Sequence, residues 1–121
     1  MSKLILIVED NEDNRGILRR LLGNAGFEFI EAHDGEKGAM MAETHRPDLI
    51  LMDVQLPILD GYAATRKIKD NPELRHVPII AVTSYALSGD EVKARASGCD
   101  GYVTKPFSPR NLLAKIREFL P

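Results

Sequence analysis

Cysteine is nearly absent. Cys99 is the only one, so the chain can form no internal disulfide and no cysteine-built metal site. A single unpaired thiol suits a reducing compartment, and the cytoplasm is the expected location. An excess of charge of one sign is also missing: 16 Lys and Arg stand against 18 Asp and Glu, for a net charge of −2. That balance gives no electrostatic reason to expect nucleic acid or a membrane surface as a direct partner. No long hydrophobic run occurs. The run Leu4-Ile5-Leu6-Ile7-Val8 is closed by Glu9 and is too short for a signal-peptide core or a membrane span. Linkers rich in Pro, Gly and Ser, internal repeats and low-complexity stretches are lacking, and residues 1–121 are expected to form one domain. No Gly-rich nucleotide loop is present, so ATP is not the expected phosphate donor.

What is present is an ordinary globular composition, 44% hydrophobic and 28% charged, arranged as an alternation. The runs Leu4-Ile5-Leu6-Ile7-Val8, Leu49-Ile50-Leu51-Met52 and Val77-Pro78-Ile79-Ile80-Ala81-Val82 are apolar nearly throughout. Strands apolar on both faces belong inside a parallel sheet covered by helices. Residues 27–32, interrupted by Glu28 and Glu31, suit one edge strand, and residues 101–104 suit the other.

Between these runs lie helical patterns with readable ends. Ile17, Leu18, Leu21 and Leu22 recur at helical spacing, with Gly23 to Gly26 to stop them. Asp34 can cap a second helix carrying Ala39, Met40 and Ala42 that must end before Pro47, with Met40 or its neighbour Met41 in the core. A third covers about residues 62–70. Ser88 and Glu91 read as a capping box for a fourth, ended by Gly98, and Ser108-Pro109 opens a fifth that reaches Leu120. The five β-α units predict a doubly wound α/β fold, a flavodoxin-like parallel sheet of order 2-1-3-4-5 with five helices.

In such sheets chemistry gathers beyond the carboxyl ends of the strands. Those ends carry Glu9 and Asp10, Asp53, Thr83 and Ser84, and Lys105 and Pro106. Three converging carboxylates repel one another unless a cation intervenes. Mg²⁺ suits a few carboxylate oxygens completed by water and phosphate oxygens. Such a constellation fits phosphoryl transfer to a carboxylate. Asp53 would be the nucleophile, Asp10 and Asp53 would hold Mg²⁺ directly, and Glu9 would do so directly or through water. Lys105 and Thr83 would meet phosphoryl oxygens.

Over its whole length the sequence resembles a response-regulator receiver domain of two-component signalling, similar to the single-domain chemotaxis receivers. The resemblance rests on Val8-Glu9-Asp10-Asn11, Leu51-Met52-Asp53-Val54-Gln55-Leu56-Pro57, Asp60-Gly61, Ala81-Val82-Thr83-Ser84 and Val103-Thr104-Lys105-Pro106-Phe107. It implies phosphoryl transfer onto Asp53 from a phosphohistidine of a histidine kinase or histidine phosphotransfer protein. It also implies a Mg²⁺ cofactor completed by the backbone carbonyl of Gln55, and a cis Lys105-Pro106 bond. It implies as well a switch that couples Thr83 to Tyr102 and remodels the face of the fourth helix, fifth strand and fifth helix for a downstream protein target. The resemblance further allows a phosphorylation-dependent homodimer. Within the family the Glu-Asp pair replaces the more frequent Asp-Asp, Ser84 stands where Ala is frequent, and the resemblance implies that Gln55 and Tyr85 occupy positions that tune phosphate lifetime.

Other classes fit less well. A Mg²⁺-dependent phosphatase with an aspartyl nucleophile usually needs a second Asp two residues on, where this chain has Gln55. A flavin module would place phosphate against Glu9-Asp10-Asn11-Glu12-Asp13, which repels it. A pseudo-receiver scaffold would normally have lost part of the acidic set. His33, His45 and His76 share no metal-ligand spacing and read as surface residues, and Cys99 reads as packing. The chain stops just after the fifth helical pattern, so a stand-alone receiver or a piece of a longer protein is expected.

Overall fold

The five runs all become strands: β1 (Leu4–Val8), β2 (Glu28–Ala32), β3 (Leu49–Asp53), β4 (Ile79–Thr83) and β5 (Gly101–Thr104). In this computed structural model, which describes residues 3–54, 56, 58–83 and 90–120, they pair in parallel into one sheet of order β2-β1-β3-β4-β5. The connections contain α1 (Glu12–Asn24), α2 (Gly35–His45), α3 (Gly61–Asp70) and α4 (Asp90–Ser97), and α5 (Pro109–Phe119) follows β5.

The alternation of side chains across each strand explains why the central runs are apolar throughout. Leu6, Val8, Ile50, Met52, Ile79 and Ala81 pack with Ala39 and Ala42 of α2, Ala64 and Ile68 of α3, and Ala94 of α4. Their neighbours Ile5, Ile7, Leu49, Leu51, Ile80 and Val82 face Leu18, Leu21 and Leu22 of α1 and Leu112 and Ile116 of α5. Both faces of the sheet are therefore dry, as a parallel sheet requires.

Helix ends follow side-chain chemistry. Asn11, Asp34, Asp60 and Ser108 each accept a hydrogen bond from the backbone N–H three residues on, at 2.8 to 3.0 Å. Pro109 takes the first turn of α5. Arg46, in the left-handed region, ends α2 ahead of Pro47, and Gly26 and Gly98 follow α1 and α4 with φ of +86° and +109°. The expected Ser88 cap of α4, like Ser84 and Tyr85, lies outside the described residues.

Two apolar positions resolve differently from their spacing. Ile17 is half exposed although Leu18, Leu21 and Leu22 are buried, because one residue is about 100° of helix and carries it off the inward stripe. Of the two methionines, Met41 packs against the core and Met40 faces out. Val77 is buried but precedes β4, its N–H donating to Leu74 in a turn. Cys99 is also buried, its Sγ 3.7 Å from Thr65 Oγ1 and from Ser97 Oγ. Burial pushes its thiol up, which leaves it protonated and unreactive at neutral pH.

Candidate functional site

The sheet order reverses at β1, whose neighbours β2 and β3 belong to connections on opposite sides. The carboxyl ends of β1 and β3 flank that point, and the acidic residues stand there. Glu9 prolongs the β1 ladder through its N–H, which donates to Ala32 at 3.0 Å. Asp53 is the last residue of β3. One carboxylate oxygen from each of Glu9, Asp10 and Asp53 lies within 4.8 Å of the other two. Glu9 and Asp53 are buried and Asp10 is exposed.

Lys105 enters from the far side. Its backbone N–H donates to the Thr83 carbonyl at 2.6 Å, which carries the chain past the end of β4, and the Lys105-Pro106 bond that follows is cis. Its side chain then crosses the end of β3. The ammonium donates to Glu9 Oε1 at 2.7 Å and sits 3.6 Å from Asp53 Oδ2. Burial, the largest influence, pulls the Glu9 carboxyl upward. Hydrogen bonding with Asp53 and Lys105, the ammonium's charge and the Asn11 N–H together outweigh it and hold Glu9 below the usual carboxylate range.

Two like charges at that spacing repel by about 3–4 kcal/mol at an effective dielectric of about 20, and the single ammonium meets only two of the three carboxylates. The donor set is all oxygen, partly buried and open at Asp10, which suits a hard divalent cation that keeps some water. The expected Gln55 carbonyl ligand lies outside the described residues.

Thr83 closes the group. It ends β4 fully buried, on the face that Ala81 shares with α3 and α4. Tyr102 pairs with Ala81 in register, and Thr104 pairs with Thr83. Thr83 and Tyr102 therefore project to the same face of adjacent strands, one pleat apart, with Tyr102 packed against the core there. The structure thus gathers Glu9, Asp10, Asp53, Lys105 and Thr83 at one end of the sheet, with Tyr102 one layer below.

Residues 5–117 match the family model of the response regulator receiver domain. The chain belongs to this family. This receiver is 45% identical to the polar-differentiation response regulator DivK of Brucella anthropi over 99% of its own length and 98% of the relative's. Among solved structures it resembles the receiver domain of a sensor histidine kinase from Pseudomonas aeruginosa, with 38% identity, a TM-score of 0.93, and 99% and 98% of the two chains covered. That structure has a magnesium ion coordinated in its active-site cleft, and the acidic site described above is like it. A Saccharomyces cerevisiae receiver domain, co-crystallised with its histidine phosphotransfer protein, has 33% identity and a TM-score of 0.90, with 98% and 88% covered. The chain is accordingly a two-component response regulator receiver and not a classical enzyme. No helix among the described residues is long and apolar enough to cross a membrane.

One residue of the site escaped the spacing argument. Arg15 is buried in α1, and its Nη1 donates to the Glu9 carbonyl at 2.8 Å. A signal existed, since Arg15, Leu18 and Leu22 fall at i, i+3 and i+7 on one helix stripe. A charged residue on that stripe has to be paired.

Proposed function

We propose that residues 1–121 form one receiver domain that acts as a phosphorylation-dependent signalling switch. Asp53 accepts a phosphoryl group from the phosphohistidine of a histidine kinase or phosphotransfer protein. The observation that carries this reading is the buried Asp53 carboxylate at the end of β3, with Glu9, Asp10 and the Lys105 ammonium gathered around it.

In the transfer an Asp53 oxygen forms the new bond to phosphorus while the phosphorus–nitrogen bond of the donor breaks. The leaving imidazole nitrogen keeps the electron pair and takes a proton from solvent. Little covalent chemistry is asked of the protein beyond alignment and charge stabilisation. Glu9, Asp10 and Asp53 would hold Mg²⁺, which when bound neutralises charge on the phosphoryl oxygens. Lys105, 3.6 Å from Asp53, needs only to lengthen its bond to Glu9 to meet an oxygen placed on Asp53. Thr83 donates its hydroxyl to another. The direct test is intact-mass detection of a single phosphoryl adduct after treatment with acetyl phosphate, present with Mg²⁺ and absent with chelator. No adduct, together with no NMR response to Mg²⁺ and beryllofluoride, would leave only a scaffold on this fold.

The donor has a place to dock. A mostly apolar groove of about 430 Å³, lined by Ile17, Leu18, Pro106 and Phe107, opens beside Glu9 and Lys105. The half-exposed Ile17 is then an interface contact. Ile17→Glu is expected to slow transfer from a phosphorylated histidine phosphotransfer protein by about tenfold, the effect of losing one moderate anchor. Transfer at the wild-type rate would remove the groove from the docking surface.

Output runs through Thr83 and Tyr102. Drawing Thr83 toward the phosphoryl group vacates space on the face it shares with Tyr102, biasing the surface of α4, β5 and α5 between two arrangements. That surface is the proposed contact for a downstream target, or for a second copy in a phosphorylation-dependent homodimer. Beryllofluoride with Mg²⁺ should shift Tyr102 and α5 amide resonances in the wild type, and Thr83→Ala should reduce those shifts by more than about half. Equal shifts in both proteins would uncouple Thr83 from the output face.

A further inference from the structure

The Glu9 carboxylate is held by Lys105 and by the Asn11 N–H. Its neighbour Asp10 is not: among the described residues no hydrogen bond or ion pair engages the Asp10 carboxylate. Asp10 nonetheless stands within 4.8 Å of Glu9 and Asp53, against their repulsion. Its position is therefore set by its backbone. The peptide unit joining Glu9 to Asp10 is planar, so whatever fixes the Glu9 carbonyl also fixes the direction in which the chain leaves for Asp10.

Arg15 fixes that carbonyl. Its Nη1 donates to Glu9 O at 2.8 Å, its Nη2 pairs with Glu12, and its Nε lies 3.4 Å from Glu31 Oε1 on β2. The two carboxylates are held in turn by Arg19, at 2.6 Å from Glu12 and 2.9 Å from Glu31. Arg15 is 6% exposed, and its guanidinium is locked from three directions, by the end of β1, the first turn of α1 and β2. A planar fork held this way imposes one orientation on the carbonyl it meets.

We propose that Arg15 is a positioning residue for the cation site, holding Asp10 where its carboxylate can share Mg²⁺ with Asp53. This rests on the reading of the acidic cluster as a Mg²⁺ site. The sign of the effect separates it from plain electrostatics. Removing a nearby cation should by charge alone tighten Mg²⁺ binding, whereas losing the clamp should weaken it. Outer partners of metal ligands typically contribute 10- to 100-fold in affinity.

The experiment is an NMR titration with Mg²⁺ alone, at constant ionic strength, of the wild type, Arg15→Leu, Arg15→Lys and the control Leu22→Ala. Leu22 is fully buried in the same helix and is not part of the site. Arg15→Leu should raise the half-saturating Mg²⁺ concentration about tenfold. Arg15→Lys, which keeps the charge but loses the fork, should raise it about threefold. Leu22→Ala should leave it unchanged while lowering the melting temperature. Mg²⁺ binding in Arg15→Leu as tight as in the wild type, or tighter, overturns the proposal. If Arg15→Leu does not fold, unaltered binding in Arg15→Lys overturns it. Weakening by Leu22→Ala equal to that by Arg15→Leu would also overturn it, reducing Arg15 to general stability. A wild type that binds no Mg²⁺ would remove the cation site itself, an outcome distinct from these because every variant would then be silent.

Discussion

Asp53→Asn should reduce Mg²⁺-dependent labelling by acetyl phosphate to background, a loss of more than about a thousandfold in rate, as expected when a nucleophile is removed outright. Asn keeps the size and planarity of the side chain and loses only the anionic oxygen that forms the bond. Lys105 can still hold Glu9 at 2.7 Å, so the pocket need not collapse. The variant therefore tests chemistry and not folding, and a melting temperature near that of the wild type should accompany the loss. An adduct of undiminished yield in Asp53→Asn would transfer the acceptor role elsewhere. Asp10 would be the first place to look, since it is the exposed member of the cluster.

Much of this site is legible in the sequence because it depends on rules that act locally. The runs in β1, β3 and β4 are apolar on both faces because both faces of the sheet are covered, and that leaves a mark at every residue. Asp34, Asp60 and Ser108 announce helix starts through a hydrogen bond that spans three residues. Once the β-α order is read, the strand ends must share one edge, and Glu9, Asp10, Asp53, Thr83 and Lys105 come together without further information. What stayed illegible depends on contacts distant in sequence. That Ile17 stays half exposed in a groove while Leu18 is buried between that groove and the core depends on α5 and the loop before it, nearly 90 residues away. The division between Met40 and Met41 is likewise settled by the surface α2 meets. Arg15 is hidden for a different reason: an arginine in a helix is usually solvated, and its burial rests on three partners at once, the Glu9 carbonyl, Glu12 and, on β2 16 residues on, Glu31.

A large stability effect is expected at Gly61, where the backbone of α3 meets that of Asp53. A Cβ at Gly61 would lie 2.1 Å from the Asp53 carbonyl oxygen and 2.6 Å from Val54 Cα. Both are backbone atoms, so no side chain can rotate away. The Gly61 N–H also donates to the Val54 carbonyl at 3.1 Å, which fixes α3 in that close approach. Gly61→Ala must therefore push α3 off the end of β3, at a cost of about 3 kcal/mol. For a domain of this size that lowers the melting temperature by about 10 °C. The same substitution at Gly23, near the end of α1, meets nothing within 4 Å and should be neutral or stabilising by up to about 1 kcal/mol. Thermal unfolding of the pair, followed by circular dichroism, checks both signs together. Gly61→Ala melting within about 2 °C of the wild type would mean that α3 can shift cheaply. The tight seat of the Asp53 backbone would then contribute nothing to holding its carboxylate in place.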